Sequence, residues 1–160
     1  DRNRLEKYGT DWDLAYTEKE ENSASAYITS GQYEGKMYID KIGYVNHEFP
    51  KLLKFMAVIP EPHYIEGMAS GKSAKQTLTS MGISAIEVPV TGGDKTARAN
   101  MATPFAEAGM VCIRESLADM MYHDINQGIL IFPNGRHDDL ADTLSQAIQR
   151  HFKKREIWAA

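Results

Sequence analysis

The first third of the chain alternates apolar and polar residues at a period of two, and the remainder alternates short apolar runs with stretches of helical period. Residues 8–16, rich in aromatic side chains, read as a strand, and the charged stretch 17–22 after them reads as a loop. Further strands are expected over 24–29 and 36–45, flanking Ser30-Gly-Gln-Tyr-Glu-Gly35, whose glycines favour antiparallel hairpins. After Phe49-Pro50, the residues Leu52, Leu53, Phe55, Met56 and Ile59 recur at helical spacing until Pro60-Glu-Pro62 stops them. From there the pattern predicts a strand over 63–66, a helix over 70–81, a strand over 84–89, and a helix over 95–108 ended by Gly109. A short strand over 110–113 and a helix over 115–126 follow, while residues 128–132 fit a strand or a helix end equally well. The last helix is the plainest element, with Leu140, Leu144, Ala147, Ile148 and Phe152 on one face. Alternating strands and helices imply parallel crossovers. The expected fold class is therefore α/β: a mixed sheet with three antiparallel N-terminal strands followed by alternating helices and strands, with helices on both faces.

Composition narrows the class without disturbing that picture. With 160 residues, 42% hydrophobic and 25% charged, the chain is ordinary for a globular domain. A chain of this size buries about 70% of the surface its unfolded form exposes. One domain over 1–160 is expected, and the polar opening Asp1-Arg-Asn-Arg-Leu5, which lacks a methionine, reads as a cut within a longer polypeptide. No apolar run approaches the roughly 20 residues needed to cross a bilayer, so a soluble, intracellular protein without a membrane partner is expected. The single cysteine, Cys112, lies in an apolar run and reads as a buried thiol; it leaves no disulfide framework and no cysteine-based zinc site. A net charge of −4 argues against a DNA-coating protein, whose affinity rests on Lys and Arg meeting phosphates. It does not argue against an acidic centre with a basic rim. The run Arg150-His-Phe-Lys-Lys-Arg155 is a candidate for such a rim, with a solvated helix end as the plainer reading.

Residues 67–73, Gly-Met-Ala-Ser-Gly-Lys-Ser, superficially invite a phosphate-binding loop for ATP. The spacing fails: a P-loop needs four residues between its glycines so that successive N–H groups wrap the phosphates, and here there are three. Glu66 stands where the first glycine would have to be, and its carboxylate repels phosphate.

The acidic residues carry more. Asp13 falls inside the first strand, where a charge is costly without a cation or donor to meet it. Glu66 ends the strand over 63–66, at the carboxyl edge where α/β sheets usually place their sites. Asp138 and Asp139 open the final helix, and Asp142 lies one turn further on. Taken singly, these read as an edge-strand aspartate, a strand-terminal glutamate and a helix N-cap. Taken together they repel one another, and a divalent cation resolves the repulsion. Hard oxygen donors, with neither cysteine nor a helical His pair, point to Mg²⁺ or Mn²⁺ rather than zinc. Two such ions, roughly 3.5–4 Å apart, activate water and stabilise the leaving oxygen of a phosphodiester.

Four segments in order complete the reading. They are Trp12-Asp-Leu-Ala15 with Asn22-Ser23; Ile65-Glu-Gly-Met-Ala-Ser-Gly71 with Gln76 and Leu78; Gly93-Asp-Lys-Thr-Ala-Arg98; and Phe132-Pro-Asn-Gly-Arg-His-Asp-Asp139 with Asp142. Across nearly the whole chain this series resembles the C-terminal nuclease domain of phage terminase large subunits. The resemblance departs at Ser23-Ala24, where the family often has an aspartate and an aromatic residue. It implies an RNase H-like, metal-dependent endonuclease, using two Mg²⁺ or Mn²⁺ ions, that cuts double-stranded DNA concatemers during genome packaging in the host cytoplasm. Asp13 is then the first metal ligand and catalytic residue, Glu66 the second, and the Asp138/Asp139 pair supplies the third, with Asp142 as a further ligand or a partner of one. The ATPase domain with its true P-loop would lie elsewhere in the full chain, and the portal and small terminase subunit would be further partners. Lys95 and Arg98, at the turn into a helix, suit a DNA phosphate. His137, beside the acidic pair, fits a proton relay or a backbone-bonded loop residue. Two alternatives stand beside this reading: another RNase H-like nuclease of junction-resolvase type, and a non-catalytic portal or DNA docking module that keeps the fold without its metals.

Overall fold

A computed structural model describes residues 1–14, 24–67, 69–89, 93–124, 128–135 and 137–153. Six strands form one sheet in the order β5-β4-β1-β2-β3-β6. The strands β1 (Glu6–Asp13), β2 (Ser25–Tyr33) and β3 (Lys36–Val45) run antiparallel to one another, as the period-two pattern predicts. The strands β4 (His63–Glu66), β5 (Ala85–Val88) and β6 (Val111–Ile113) add in parallel, β4 beside β1, β5 beside β4, and β6 beside β3. The helices α1 (Phe49–Met56), α2 (Ala69–Ser80), α3 (Lys95–Glu107), α4 (Glu115–His123) and α5 (Asp139–Phe152) occupy both faces.

Two cores explain that division. On one face Trp12 and Ile65 pack with Leu52, Leu53 and Met56 of α1 and with Ala74 and Leu78 of α2. On the other, Ile28, Met37, Ile39 and Ile42 pack with Ala102 of α3, Met121 of α4, and Leu140, Ala147 and Ile148 of α5. Because side chains alternate along a strand, the neighbours of Trp12 and Ile65 point the opposite way. The side chains of Asp11, Asp13, Tyr64 and Glu66 all meet groups on α3 or α5. The parallel register Trp12↔Ile65 then places Asp13 and Glu66 side by side at one edge of the sheet.

Several boundaries move from their expected places. The second strand does not stop at 29; it continues to Tyr33, pairing Tyr33 with Lys36 across a two-residue turn. Glu34 and Gly35 take φ of 47° and 76°, the positive pair of a hairpin turn whose twist matches the strands it joins. Helix α4 ends at His123, three residues short of its expected end, and residues 125–127 lie outside the described residues. The ambiguous segment 128–132 is neither strand nor α-helix but a 3₁₀ turn over Ile129–Ile131. The loop expected over 17–22, the end of the first expected strand, Asn22-Ser23, and Lys154 and Arg155 of the basic run also lie outside the described residues. Cys112 is half-buried rather than fully enclosed. Among the described residues no helix is long and apolar enough to cross a membrane.

Gly9 shows how tightly β1 and β4 are assembled. A Cβ there would stand 2.7 Å from the Pro62 carbonyl oxygen and 2.8 Å from the Tyr64 ring, so β1 and the entry to β4 approach through a missing side chain. Gly9→Ala is expected to lower stability by about 1–3 kcal/mol through overpacking. A urea midpoint equal to that of the wild type would show that the two strands can part at no cost.

Candidate metal centre

Five carboxylates and two cations meet beyond the carboxyl ends of β1 and β4. Asp13 and Glu66 are the last residues of their strands. Asp138 caps α5 by position but makes no side-chain capping bond, and Asp139 and Asp142 occupy the first helical turn. Acids at a helix N-terminus are stabilised by the unpaired N–H groups there. Across from them, α3 starts with its Asp94 cap, whose side chain accepts from the Ala97 N–H at 2.9 Å. This cap fixes the first turn of α3, so Lys95 and Arg98, three residues apart, share one helix face. A lysine at a helix N-terminus opposes the dipole, and carboxylates compensate it.

Lys95 Nζ lies 2.7 Å from Asp138 Oδ1, 3.9 Å from Asp139, and 4.0 Å from both Asp13 and Asp142. Arg98 spans the rest, 2.7 Å from Asp142 and 3.4 Å from Glu66. The Arg98 side chain is 13% exposed and that of Lys95 39%. Both side chains, expected to suit a DNA phosphate, contact the carboxylates. His137 is exposed, and its proximity lowers the proton affinity of Asp139.

Burial and mutual repulsion govern the acids. Burial, joined by the charge of Asp139, pushes the Asp13 carboxyl up to about 7, against the pull of Lys95. Glu66 is raised by burial and by Asp142, against Arg98. Asp139 is raised by burial, with Lys95 opposing. Burial alone would lower Lys95, but its bond to Asp138 and the surrounding negative charge outweigh that and raise it.

The donor set suits a hard divalent cation: every candidate ligand is a carboxylate, and Asp13 Oδ2 is buried with no hydrogen-bond partner. As the side chains stand, no three acids, histidines or cysteines among the described residues are close enough to wrap an ion. The ammonium of Lys95 fills the space between them.

Sequence reasoning missed the support beneath this cluster. Asp11, fully buried one pleat below Asp13, accepts from Gln146 Nε2 at 3.1 Å and from Arg150 Nε at 2.9 Å. Arg150 also donates to the Lys7 carbonyl at 2.8 Å and covers the Tyr64 ring. Its side chain is 9% exposed, so it belongs to the interior and not to a solvated helix end or a basic rim. Asp142, Gln146 and Arg150, at i, i+4 and i+8, form a polar stripe beside the apolar face of α5. That spacing, set against an aspartate two positions before Asp13, is the signal that could have revealed the bracket.

Neither a protein-family model nor a curated protein matches this sequence. Solved structures do resemble it. The large terminase nuclease of thermophilic phage G20c, solved with bound zinc and with bound magnesium, is 15% and 16% identical with a TM-score of 0.57, over 89% of this chain and 80% of that one. The fowlpox virus Holliday junction resolvase is 13% identical with a TM-score of 0.52, over 88% of this chain and 96% of that one. The chain has the fold of a large-terminase nuclease domain. Against the large terminase of thermophilic bacteriophage D6E, 17% identical with a TM-score of 0.51, the match covers 69% of this chain and spans 29% of that one. The RNase H-like fold expected from the sequence is thus the fold observed.

The raised proton affinity of Asp13 makes a pH prediction for metal-free protein. An aspartate bound at about 7 when folded, and near 3.8 when unfolded, favours the folded state fully only below the lower value. That contribution is lost as pH rises through about 7. Asp13→Asn, which cannot ionise, should therefore gain on the wild type as pH rises from 5 to 8 in EDTA, by on the order of 1–3 kcal/mol. Melting curves of the two proteins at both pH values check this. A gap that stays constant would mean that Asp13 is ionised throughout.

Proposed function

We propose that the chain is a divalent-metal-dependent endonuclease domain that cuts double-stranded DNA, acting on phage DNA concatemers during packaging as part of a large terminase subunit. The observation that carries this is the meeting of Asp13 and Glu66, at the ends of adjacent parallel strands, with Asp139 of α5, on the fold of a large-terminase nuclease. Charges buried together in this way weaken a domain that has no use for them. A non-catalytic docking module has no such use.

Asp13, Glu66 and Asp139 are the proposed ligands and catalytic residues. Asp138 is a further ligand within reach of the same point, and Asp142 either binds the metal or orients Arg98. Mg²⁺ or Mn²⁺, as a pair of ions, supplies the water activation and leaving-group stabilisation of phosphodiester hydrolysis when bound. Asp11, Gln146 and Arg150 hold the strand ends against α5, so the ligands on the two sides keep their separation. Lys95, the more exposed cation, is the proposed contact to the DNA backbone. In this reading a terminase ATPase domain lies elsewhere in the full chain, the portal and small terminase subunit are its assembly partners, and the host cytoplasm is where it works.

Incubation with supercoiled plasmid, linear duplex and a four-way junction, in Mg²⁺, Mn²⁺ or EDTA, tests the proposal. Cleavage of plasmid and duplex that needs either metal and shows little sequence preference is expected. Exclusive cutting of the junction would favour the resolvase reading, which the coverage of the fowlpox enzyme keeps open. Folded protein that leaves all three substrates intact would sink the nuclease assignment.

A further inference from the structure

The ammonium of Lys95 is the nearest thing to a bound cation at this site. It contacts Asp138 and lies within 4.0 Å of Asp13, Asp139 and Asp142 at once, four carboxylates from a strand end and a helix start. It is also the cation that can leave. An ammonium on a four-carbon stem rotates freely, whereas a guanidinium is held by its planar fork. Lys95 is 39% exposed, whereas Arg98 is 13% exposed and fixed between Glu66 and Asp142. A divalent ion and an ammonium cannot share the point the carboxylates surround, because like charges at contact distance repel strongly where water is scarce. This accounts for the spacing of the acids, which stand around a nitrogen and not close enough to wrap a metal.

We propose that Lys95 is a resident counter-ion that occupies the cation position in the metal-free protein and is expelled when a divalent ion binds, so that metal loading frees its ammonium for a DNA phosphate. The inference rests on the metal-centre reading above and adds an exchange step to it. Before metal arrives, the lysine neutralises acids that would otherwise repel one another. Afterwards the same lysine lies beside a loaded centre, with no carboxylate holding it. DNA affinity is then coupled to metal occupancy through one side chain.

Calorimetric titration of Mn²⁺ into wild type, Lys95→Met, Lys95→Arg and Asp13→Asn tests the exchange without relying on cleavage. If the lysine-out state is the minor one, at about a tenth or less, removing the lysine should tighten Mn²⁺ binding roughly tenfold or more. Lys95→Arg should bind no more tightly than wild type, and Asp13→Asn should lose binding. Met at 95 that binds equally or more weakly, while binding still depends on Asp13, overturns the exchange and leaves the metal-centre reading standing. Absence of Asp13-dependent binding in every folded variant overturns both. The wild type offers a check that needs no variant to fold. On titration with Mg²⁺, the Lys95 side-chain NMR signals should move to the positions and widths of exposed lysines, with the same midpoint as metal binding. Signals that stay in place at saturation contradict expulsion.

Discussion

Asp11→Ala is expected to lower the unfolding free energy by about 3–5 kcal/mol, the usual cost of breaking a buried ion pair by removing one partner. Asp11 is 0% exposed and Arg150 9%, so truncation strands a guanidinium inside the protein and leaves Gln146 with only the Tyr64 carbonyl. Burial raises the proton affinity of Asp11 against the pull of Arg150. Total stabilities of about 5–15 kcal/mol put the variant close to unfolding at ordinary temperatures. Arg150→Ala should cost a similar amount, and an apolar pair at both positions should recover much of the loss. Urea denaturation of the single and double variants checks this. A single-variant loss below about 1 kcal/mol would mean that water reaches the pair and that it does not bind the strands to α5.

The second large effect is on cleavage. Asp13→Asn, Glu66→Gln and Asp139→Asn are each expected to lower the plasmid-nicking rate by more than about 100-fold, because residues that only orient a metal ligand already cost 10–100-fold when lost. EDTA should do the same to the wild type. These variants should fold at least as well as the parent, since each removes a charge from a crowded acidic cluster. Asp138→Asn should act less strongly, being the most exposed of the acids and bonded chiefly to Lys95. Asp142→Asn should lose stability as well as rate, because it anchors the half-buried Arg98. Initial rates on supercoiled plasmid, read beside melting temperatures, separate the two kinds of loss. Equal rates for Asp13→Asn and wild type would remove Asp13 from the chemistry.

Much of this is legible in the sequence. Period-two alternation marked β1 to β3 because one face of each is buried, and the stripe from Leu140 to Phe152 marked α5 because its apolar face is continuous. Asp13 and Glu66 stood out because a charge inside a strand demands a partner and the carboxyl end of a strand is the usual place for a site. What could not be read was anything set by approach across the fold. The pairing of Asp11 with Arg150 joins positions 139 residues apart, and no local pattern announces it. The turn of Lys95 and Arg98 into the acids was equally hidden, since their spacing fits an outward phosphate contact just as well. They meet the acids because α3 packs against α5.

The central claim is that Asp13, Glu66 and Asp139 hold a divalent ion at the edge of the sheet. Diffraction at the manganese absorption edge, from crystals soaked in Mn²⁺, tests it most directly. The account predicts an anomalous peak bound by Asp13 and Asp139, with Glu66 contributing directly or through a neighbouring ion, and none in Asp13→Asn crystals. A soaked crystal with no peak among these carboxylates, or with its manganese bound elsewhere while Lys95 still occupies the cluster, would contradict it.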